Sequence, residues 1–440
     1  MSNRFDFVVA GAGPGGLAAA ATAAELGMKV CLLDDNLAPG GQIWRSSLAK
    51  GIHPAAVDWS RRLIAGKVDV RSGWRAVLAE NSGASREKIL RIENNGNFAD
   101  LAYGALVVTT GARERFLPFP GWTLPGVIGA GGLQAFAKSG LDVTGKRVVV
   151  AGTGPLLLAV AANLRAAGAH IAAIVEQAPM AQLARFGRRL AISWPGKLAE
   201  GAGYGLKLLG VPYRPGSWVA RASGEPHLRG VTVSSGGDSR EIAADMLAVG
   251  FHLVANTELA QLIGCQIADG YVRVNEHQMT AVEGVYAVGE VTGIGGLEKA
   301  IVEGRIAALA AAGRNAEARA LFPSRDRWMR FARSLDSAFA LRGELRQLAD
   351  CETIVCRCED VTHNQLIGCR SWREAKLHTR CGMGPCQGRI CGPATQFLYG
   401  WTSPAPRPPI FPVEVQSLTG PVAYPNSDPH PEEIHPAEIH

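Results

Sequence analysis

The sequence predicts an α/β protein with two dinucleotide-binding domains, the second nested within the first, and a small cysteine-rich domain near the C-terminus. Three observations lead to this fold class. A glycine-rich turn joins an apolar strand to an apolar helix near residue 11 and again near residue 152. Six of the nine cysteines fall between residues 356 and 391. The chain has 440 residues, whereas single cores seldom grow beyond ~250–300 residues.

The first glycine-rich turn has the full context of a dinucleotide site. The apolar strand 7–10 precedes the turn 11–16, an alanine-rich helix follows over 17–27, and the strand 29–33 ends at an acid. The glycines permit the turn, the approach of a pyrophosphate and close helix packing, and the acid can accept a bond from a ribose 2′-OH. The predicted contacts are Gly11, Gly13, Pro14, Gly15, Gly16, Asp34 and Asp35.

The second glycine-rich turn repeats this pattern with two differences. Leu157 stands where the third glycine is expected, so helix and strand lie further apart. No basic cluster follows the acid at the end of the strand 170–175, which argues against NADP. Two alternatives stay open, an adenine nucleotide (NAD or an adenosine phosphate) and a vestigial site that binds nothing catalytic. The candidate contacts are Gly152, Gly154, Pro155 and Glu176.

The cysteines after residue 350 predict a metal site. Cys356 and Cys358 form one pair, and Cys381, Cys386 and Cys391 follow at equal spacings. Thiolates are soft ligands that suit iron or zinc. A redox cluster is more coherent than a structural zinc beside a dinucleotide site, although zinc and unligated thiols stay open as alternatives. The second nucleotide region lacks a Cys-x-x-Cys pair, so a thiol relay to a protein substrate is not expected.

Composition narrows the class of protein further. Hydrophobic residues make up 47% and charged residues 19% of the chain, and the net charge of +6 is spread without a long Lys/Arg run. This distribution argues against a nucleic-acid partner. No stretch reaches the ~18 apolar residues of a membrane span, and no secretory signal pattern is present. We expect a cytoplasmic protein whose cysteines are ligands or free thiols rather than disulfides.

Three segments resemble the FAD-binding parts of two-domain flavoproteins of the glutathione/thioredoxin reductase type. The segment 39–43 resembles the part that wraps around FAD, 107–113 resembles the strand-then-glycine crossover, and 284–290 resembles the strand that contacts the ribityl and pyrophosphate groups. Glu290 replaces the usual Asp. The resemblance predicts FAD, with further contacts from Gly40, Gly41, Gln42, Thr110, Gly111, Gly289 and Glu290.

The segment 382–392 is similar to the bacterioferritin-associated-ferredoxin-like [2Fe–2S] domain that is fused to certain flavoprotein dehydrogenase subunits. In that domain the pattern is Gly-Met-Gly-x-Cys-Gln-Gly-x-x-Cys. It implies a [2Fe–2S] cluster on Cys356, Cys358, Cys386 and Cys391 and places Cys381 outside the motif, as a neighbouring or spare thiol.

Residues 5–420 together resemble the α (A) subunit of the heteromeric, dye-linked amino-acid dehydrogenases. That family includes opine (octopine/nopaline) oxidase, D-hydroxyproline dehydrogenase and hydrogen cyanide synthase. The resemblance implies an electron-transfer subunit. Its partner would be a D-amino-acid-oxidase-like FAD β subunit that oxidises the C–N bond. The resemblance also allows a small γ subunit and a further flavin at the interface between subunits. A stand-alone NAD(P)H-dependent reductase is the alternative, and an assembly subunit with structural zinc is a third possibility.

The same pattern predicts the domain boundaries. The FAD domain combines two stretches of chain, and the second nucleotide domain is inserted between them. A connecting helix leads to the [2Fe–2S] domain, and a proline-rich extended tail follows. The predicted ranges are 1–110 and 248–320, 111–247, 325–350, 351–400 and 401–440, in that order.

Overall fold

The computed structural model describes residues 3–44, 54–81 and 88–419. The part of the predicted tail from residue 420 onward therefore lies outside the described residues. The strands are β1 Arg4–Ala10, β2 Val30–Asp34, β3 Asp69–Ser72, β4 Arg75–Asn81, β5 Lys88–Asn94, β6 Asn97–Val108, β7 Ala112–Glu114, β8 Val127–Gly129, β9 Arg147–Thr153, β10 His170–Glu176, β11 Tyr213–Pro215, β12 Trp218–Ser223, β13 Gly230–Ser235, β14 Asp238–Ala243, β15 Met246–Phe251, β16 Leu253–Ala255, β17 Ile267–Ala268, β18 Tyr271–Val272, β19 Val285–Ala287, β20 Ile354–Cys356 and β21 Val361–Thr362.

The α-helices of the described residues follow the same order. They are α1 Pro14–Glu25, α2 Gly41–Trp44, α3 Pro54–Ala65, α4 Ala130–Lys138, α5 Leu156–Ala166, α6 Met180–Ser193, α7 Pro195–Lys207, α8 Glu258–Ile263, α9 Gly296–Ala311, α10 Asn315–Ala320, α11 Phe322–Ala338, α12 His363–Leu366, α13 Trp372–Thr379, α14 Cys391–Tyr399 and α15 Gln416–Thr419. Short 3₁₀ turns lie at Gly289–Thr292 and Gly343–Gln347.

The first domain is built on a sheet in the order β3-β2-β1-β6-β5-β4, with β19 paired to β6. The strands β3, β2, β1, β6 and β19 run parallel, whereas β4 and β5 are antiparallel additions. Phe7, Val8 and Val9 of β1 are fully buried, as expected for a central parallel strand covered on both faces. Because these strands are parallel, their carboxyl ends meet at one edge, where nucleotides bind in such sheets.

The second domain has its own parallel sheet, in the order β11-β10-β9-β15-β8, and an antiparallel sheet of β12, β13 and β14. The strand β15 pairs with β9 over Met246–Phe251, so it belongs to this sheet. The boundary predicted at residue 248 therefore falls inside a strand of the second domain. The chain returns only after Phe251, through a two-stranded crossover of β7 and β16.

Two helices of the first domain cross at very small residues. A Cβ on Gly304 of α9 would lie 2.3 Å from the carbonyl oxygen of Gly15 and 3.0 Å from the backbone nitrogen of Ala19 in α1. This close crossing is possible because α1 is rich in alanine and glycine. It holds the N-terminal ends of both helices near the edge of the first sheet.

The connection to the C-terminal domain is not a single helix over the predicted range 325–350. The helix α11 spans Phe322–Ala338, and a 3₁₀ turn over Gly343–Gln347 completes the connection. Phe331 of α11 packs against Phe186 and Trp194, with ring centroids 6.5 and 5.5 Å apart. This contact fixes the connecting helix against the second domain.

The tail beyond Trp401 returns to the first domain. Ile410 is 2% exposed and lies in the hydrophobic core formed under the first sheet. Its backbone N–H donates to the carbonyl oxygen of Val77 at 3.0 Å. The proline-rich segment therefore ties the C-terminal part of the chain to the first sheet.

Candidate functional site

The first glycine turn leaves its backbone open at the N-terminus of α1. Gly11 has a φ of +117°, and a Cβ there would lie 2.3 Å from the carbonyl oxygen of Thr109. A Cβ on Gly16 would lie 1.9 Å from the carbonyl oxygen of Gly11, so strand and helix meet too closely for a side chain. A Cβ on Gly13 would meet nothing within 4 Å. The turn is thus packed underneath and open above, which suits a phosphate at a helix N-terminus.

Asp34 lies directly beside this turn, at the end of β2. Its carboxylate accepts hydrogen bonds from Ala12 N and Asn36 N, both at 2.8 Å. The neighbouring Asp35 is exposed, but partial loss of solvation of its carboxyl group and repulsion from Asp34 raise its pKa. Asp34 is therefore fixed at the edge of the glycine turn, where an acid can accept bonds from a ribose.

The segment after β2 folds back onto the same turn. The N–H of Gly40 donates to the carbonyl oxygen of Ala12 at 2.8 Å. A Cβ on Gly41 would lie 2.9 Å from the Cα of Gly13, so only glycine fits at this approach. Gln42 follows in α2 and is exposed. This segment covers one side of the space above Gly13.

The turn after β19 brings a partly buried acid, Glu290, to the site. Glu290 Oε1 accepts from Gly296 N at 3.0 Å, whereas the buried Oε2 has no hydrogen-bond partner among the described residues. Burial raises the pKa of this carboxyl. Cβ atoms on Gly15 and Gly289 would both contact Ala300 of α9, at 3.2 and 3.4 Å, so this turn lies next to the first glycine turn.

The crossover between the domains is tied at Thr110 and Gly111. Thr110 Oγ1 donates to the carbonyl oxygen of Asn256 at 2.5 Å, and Asn256 Nδ2 donates to the carbonyl oxygen of Thr110 at 2.9 Å. The N–H of Asn256 donates to the carbonyl oxygen of Gly111 at 2.9 Å. These bonds hold the end of β6 beside the ends of β1 and β19.

The structure therefore brings the candidate FAD contacts to one edge of the first sheet, and they fit the group. An open glycine turn can take the pyrophosphate, and a ribityl hydroxyl would satisfy the unpaired Oε2 of Glu290, since buried polar atoms without a partner are rare. The residues at this edge are Gly11, Gly13, Pro14, Gly15, Gly16, Asp34, Asp35, Gly40, Gly41, Gln42, Thr110, Gly111, Gly289 and Glu290.

The second glycine turn is built in the same way. Gly152 has a φ of +135°, and a Cβ there would lie 1.8 Å from the carbonyl oxygen of Gly250. Glu176 accepts from Gly154 N and from Thr153 Oγ1, both at 2.8 Å, and burial raises its pKa. Hydrogen bonds from the protein itself therefore already use much of the hydrogen-bonding capacity of the Glu176 carboxylate. The candidate contacts that come together here are Gly152, Gly154, Pro155 and Glu176.

A cleft opens beside the second glycine turn. One of its walls is formed by Leu335 of α11 and by Phe339 just after it. Gln177 Nε2 donates to the carbonyl oxygen of Ala340 at 3.1 Å, and Gln177 Oε1 accepts from Arg342 N at 3.1 Å. The connecting segment is therefore fixed against the second nucleotide turn.

Five cysteines form one group in the C-terminal domain. The Sγ atoms of Cys356, Cys381 and Cys391 lie within 4.8 Å of one another, and all three residues are buried. Cys386 makes thiol contacts with both Cys391 and Cys358. The four cysteines of the predicted ligand set thus form one continuous series of contacts, in the order Cys356, Cys391, Cys386 and Cys358. The structure also brings in Cys381, which sequence reasoning had set aside although its spacing to Cys386 equals that of Cys386 to Cys391.

Hydrogen bonds among these thiols shift their pKa values in opposite directions, lowering those of Cys356 and Cys386 and raising those of Cys381 and Cys391. Hydrogen bonds from Cys381 and Cys391 lower the pKa of Cys356 to about 2. A hydrogen bond from Cys391 lowers the pKa of Cys386 to about 5. The hydrogen bond with Cys356 raises the pKa of Cys381 to about 12. A set of contacting thiols, three of them buried, fits a metal or an iron–sulfur cluster, whose ligands are thiolates.

Trp372 organises the loops that carry these cysteines. Cβ atoms on Gly382 and Gly388 would lie 2.4 and 2.9 Å from Trp372 Cζ2, so both loops press against the indole. The N–H of Gly382 also donates to Cys356 Sγ at 3.5 Å. A Cβ on Gly384 would lie 2.3 Å from the Cβ of Cys358. The glycines of this motif therefore let the backbone close around the sulfurs.

Fold and glycine turns together define a nucleotide-dependent oxidoreductase with two nested domains. Residues 5–316 match the pyridine nucleotide-disulphide oxidoreductase family, to which the chain belongs, and which implies FAD and nucleotide binding. Hydrogen cyanide synthase subunit HcnB of Pseudomonas aeruginosa is 33% identical over 87% of this chain and 90% of its own length. The A subunit of opine oxidase from Rhizobium meliloti is 32% identical over 95% of this chain and 99% of its own length. These relatives confirm the family resemblance found in the motifs.

Two solved structures show the same fold. L-proline dehydrogenase from P. horikoshii superimposes with a TM-score of 0.68 at 18% identity, over 95% of this chain and 80% of that one. T. acidophilum thioredoxin reductase superimposes with a TM-score of 0.54 at 20% identity, over 71% of this chain and 99% of that one. At these identities the likeness concerns the fold alone. Within the described ranges, no helix is long and apolar enough to cross a membrane.

Proposed function

We propose that this chain is the electron-transfer component of a multisubunit amino-acid or opine dehydrogenase. The observation that carries the proposal is the group of five contacting cysteines in a domain fused to the nested nucleotide domains. The relatives that match nearly the whole chain are named as subunits of hydrogen cyanide synthase and opine oxidase. In the proposal, a D-amino-acid-oxidase-like FAD β subunit oxidises the substrate C–N bond, and the acceptor is a molecule other than oxygen.

The metal centre is proposed as a [2Fe–2S] cluster held by Cys356, Cys358, Cys386 and Cys391. Such clusters use four thiolates, and these four cysteines form one continuous series of contacts that can supply them. The Cys-x-Cys unit argues against zinc, because structural zinc sites usually space their ligands as Cys-x₂₋₄-Cys. Cys381 is left as a buried thiol that hydrogen-bonds to this set.

The first glycine turn and its neighbours are proposed to bind FAD. When bound, FAD takes up electrons in pairs and a [2Fe–2S] cluster takes them singly, so a chain that holds both can divide a pair. The protein's own part is to hold and orient the two groups and to shield them from water. Gly152, Gly154, Pro155 and Glu176 hold at most an NAD or adenosine phosphate that takes up no electrons. A further flavin between the subunits and a small γ subunit would complete a cytoplasmic complex.

Chemical analysis of the purified chain tests this function. We expect the chain to contain FAD. We also expect it to contain iron and acid-labile sulfide in amounts equal to each other, because the contacting cysteines are arranged for a cluster. The visible spectrum should bleach in part when dithionite is added. Zinc without acid-labile sulfide would contradict the proposal and favour a structural metal site.

A further inference from the structure

The loop between Cys386 and Cys391, here named the cluster loop (residues 386–391), is anchored to the first domain at one residue. The carbonyl oxygen of Arg389 accepts from Arg113 Nε at 3.1 Å. Arg389 Nε lies 3.6 Å from Glu258 Oε1, and Arg113 Nη1 lies 2.9 Å from the same oxygen. Two guanidinium groups therefore share one carboxylate at the foot of the cluster loop.

The residues that hold Arg389 also hold the turn proposed to contact FAD. Arg113 Nη1 donates to Asn256 Oδ1 at 2.6 Å. Asn256 in turn bonds through its backbone to Gly111 and through its side-chain amide to Thr110, both at 2.9 Å. An unbroken series of hydrogen bonds thus links the FAD-side turn to the cluster loop.

Arg389 is also held from the side of the tail and from within its own loop. Its Nη2 donates to the carbonyl oxygen of Ile410, and its guanidinium lies 4.4 Å from the ring centroid of Phe411. Its Nη1 donates to Gln387 Oε1 at 2.9 Å and lies 3.5 Å from the carbonyl oxygen of Cys386. Arg389 therefore joins the cluster loop, the domain crossover and the tail.

The charges at this junction do not cancel. The side chains of Arg389, Glu258 and Arg113 are only 16%, 17% and 22% exposed. Two cations and one anion leave a net positive charge in a place where solvent screens weakly. The reduction potential of an iron–sulfur cluster depends on nearby charge, hydrogen bonds and exposure. A positive charge near the cluster favours the reduced form, which carries one more electron.

We propose that Arg389 is a positioning residue that docks the cluster loop against the FAD-side turn and raises the reduction potential of the cluster through its charge. This inference rests on the proposed function, since it requires a cluster on the loop. It adds to that function the residue that couples the two cofactor sites. Arg113 and Glu258 act through Arg389 by holding its backbone and its guanidinium.

An EPR-monitored redox titration of the purified full-length chain tests the charge. Arg389→Gln should shift the midpoint potential of the cluster to a more negative value, whereas Arg389→Lys, which keeps the charge, should stay closer to the unchanged chain. Arg373→Gln is the matched control, because Arg373 is an exposed arginine of the same domain. A potential that is the same in Arg389→Gln and Arg373→Gln would overturn the inference, as would an equal shift in Arg389→Lys.

Amide hydrogen exchange tests whether the cluster loop docks against the FAD-side turn. This measurement does not require that the sample carries the iron–sulfur cluster. Arg113→Gln removes the donor to the carbonyl oxygen of Arg389, so the amides of the cluster loop should exchange faster while those of β1 stay unchanged. Unchanged exchange in the loop would overturn the docking. If the unsubstituted chain itself holds no iron and sulfide, the proposed function fails first. If it holds the cluster and the variants behave like the control, only this inference fails.

Discussion

At the scale of single residues, the cluster assignment depends on which thiols can share a metal. Cys391 contacts Cys356, Cys381 and Cys386, so it lies at the centre of the group. Cys381 hydrogen-bonds to Cys356 and Cys391. Cys381 stands outside the ferredoxin-like motif, so the proposal treats it as a neighbouring thiol, whereas Cys391 is a proposed ligand. Cys391 is therefore the most demanding test of the ligand set.

A pair of alanine variants separates these roles. Cys391→Ala should abolish the visible absorption of the cluster, because one iron loses a thiolate. Cys381→Ala should keep the cluster spectrum and lower the stability of the chain by about 1 kcal/mol, since it deletes one buried atom. Ultraviolet–visible spectra and denaturant unfolding of both variants check this. Loss of the spectrum in Cys381→Ala with retention in Cys391→Ala would reverse the assignment.

The sequence predicts the roles of some of these residues but not of others. The roles of Gly11, Gly13 and Gly16 follow from local strand–turn–helix context, so the sequence predicts them. The position of Cys381 does not follow from spacing, because the distance between its sulfur and that of Cys356 depends on how the loops fold around Trp372. The contact between Arg113 and Arg389 joins residues 276 positions apart, and no local pattern predicts it.

At the scale of elements, the two glycine turns differ in what covers them. The first is bordered by the segment after β2 and by the turn after β19, and it stays open above Gly13. The second is bordered by α11 and by the segment that follows it, through Leu335, Phe339 and the bonds of Gln177. Sequence predicted both turns and the helical connection, but not that the connection lies against the second site, since that depends on tertiary packing.

From this packing we expect that NADH does not reduce the FAD of this chain. Mixing the FAD-loaded chain with NADH under anaerobic conditions should leave the flavin absorbance unchanged over seconds, because α11 and Phe339 wall the second cleft. Dithionite added to the same sample is the control and should bleach the flavin. Fast bleaching by NADH in a stopped-flow experiment would instead indicate a stand-alone NADH-dependent reductase.

At the scale of the whole molecule, the chain carries two candidate cofactor sites whose supporting elements are in contact. The first sheet, the domain crossover and the cluster loop are joined by Arg113, Glu258 and Arg389, and Ile410 anchors the tail in the first core. Such an arrangement suits electron transfer within one chain. The fold class and the order of the parts could be predicted from the sequence because each part has a local signature, whereas the way the parts contact one another could not.

The central claim is that this chain carries electrons and that the substrate is oxidised in a partner subunit. Dye-linked oxidation of a panel of amino acids and opines, measured with the isolated chain loaded with FAD and its cluster, tests it most directly. We expect no substrate-dependent dye reduction by the isolated chain and clear dye reduction once a D-amino-acid-oxidase-like β subunit is added. Robust substrate-dependent dye reduction by the isolated chain would show that the substrate is oxidised in this chain.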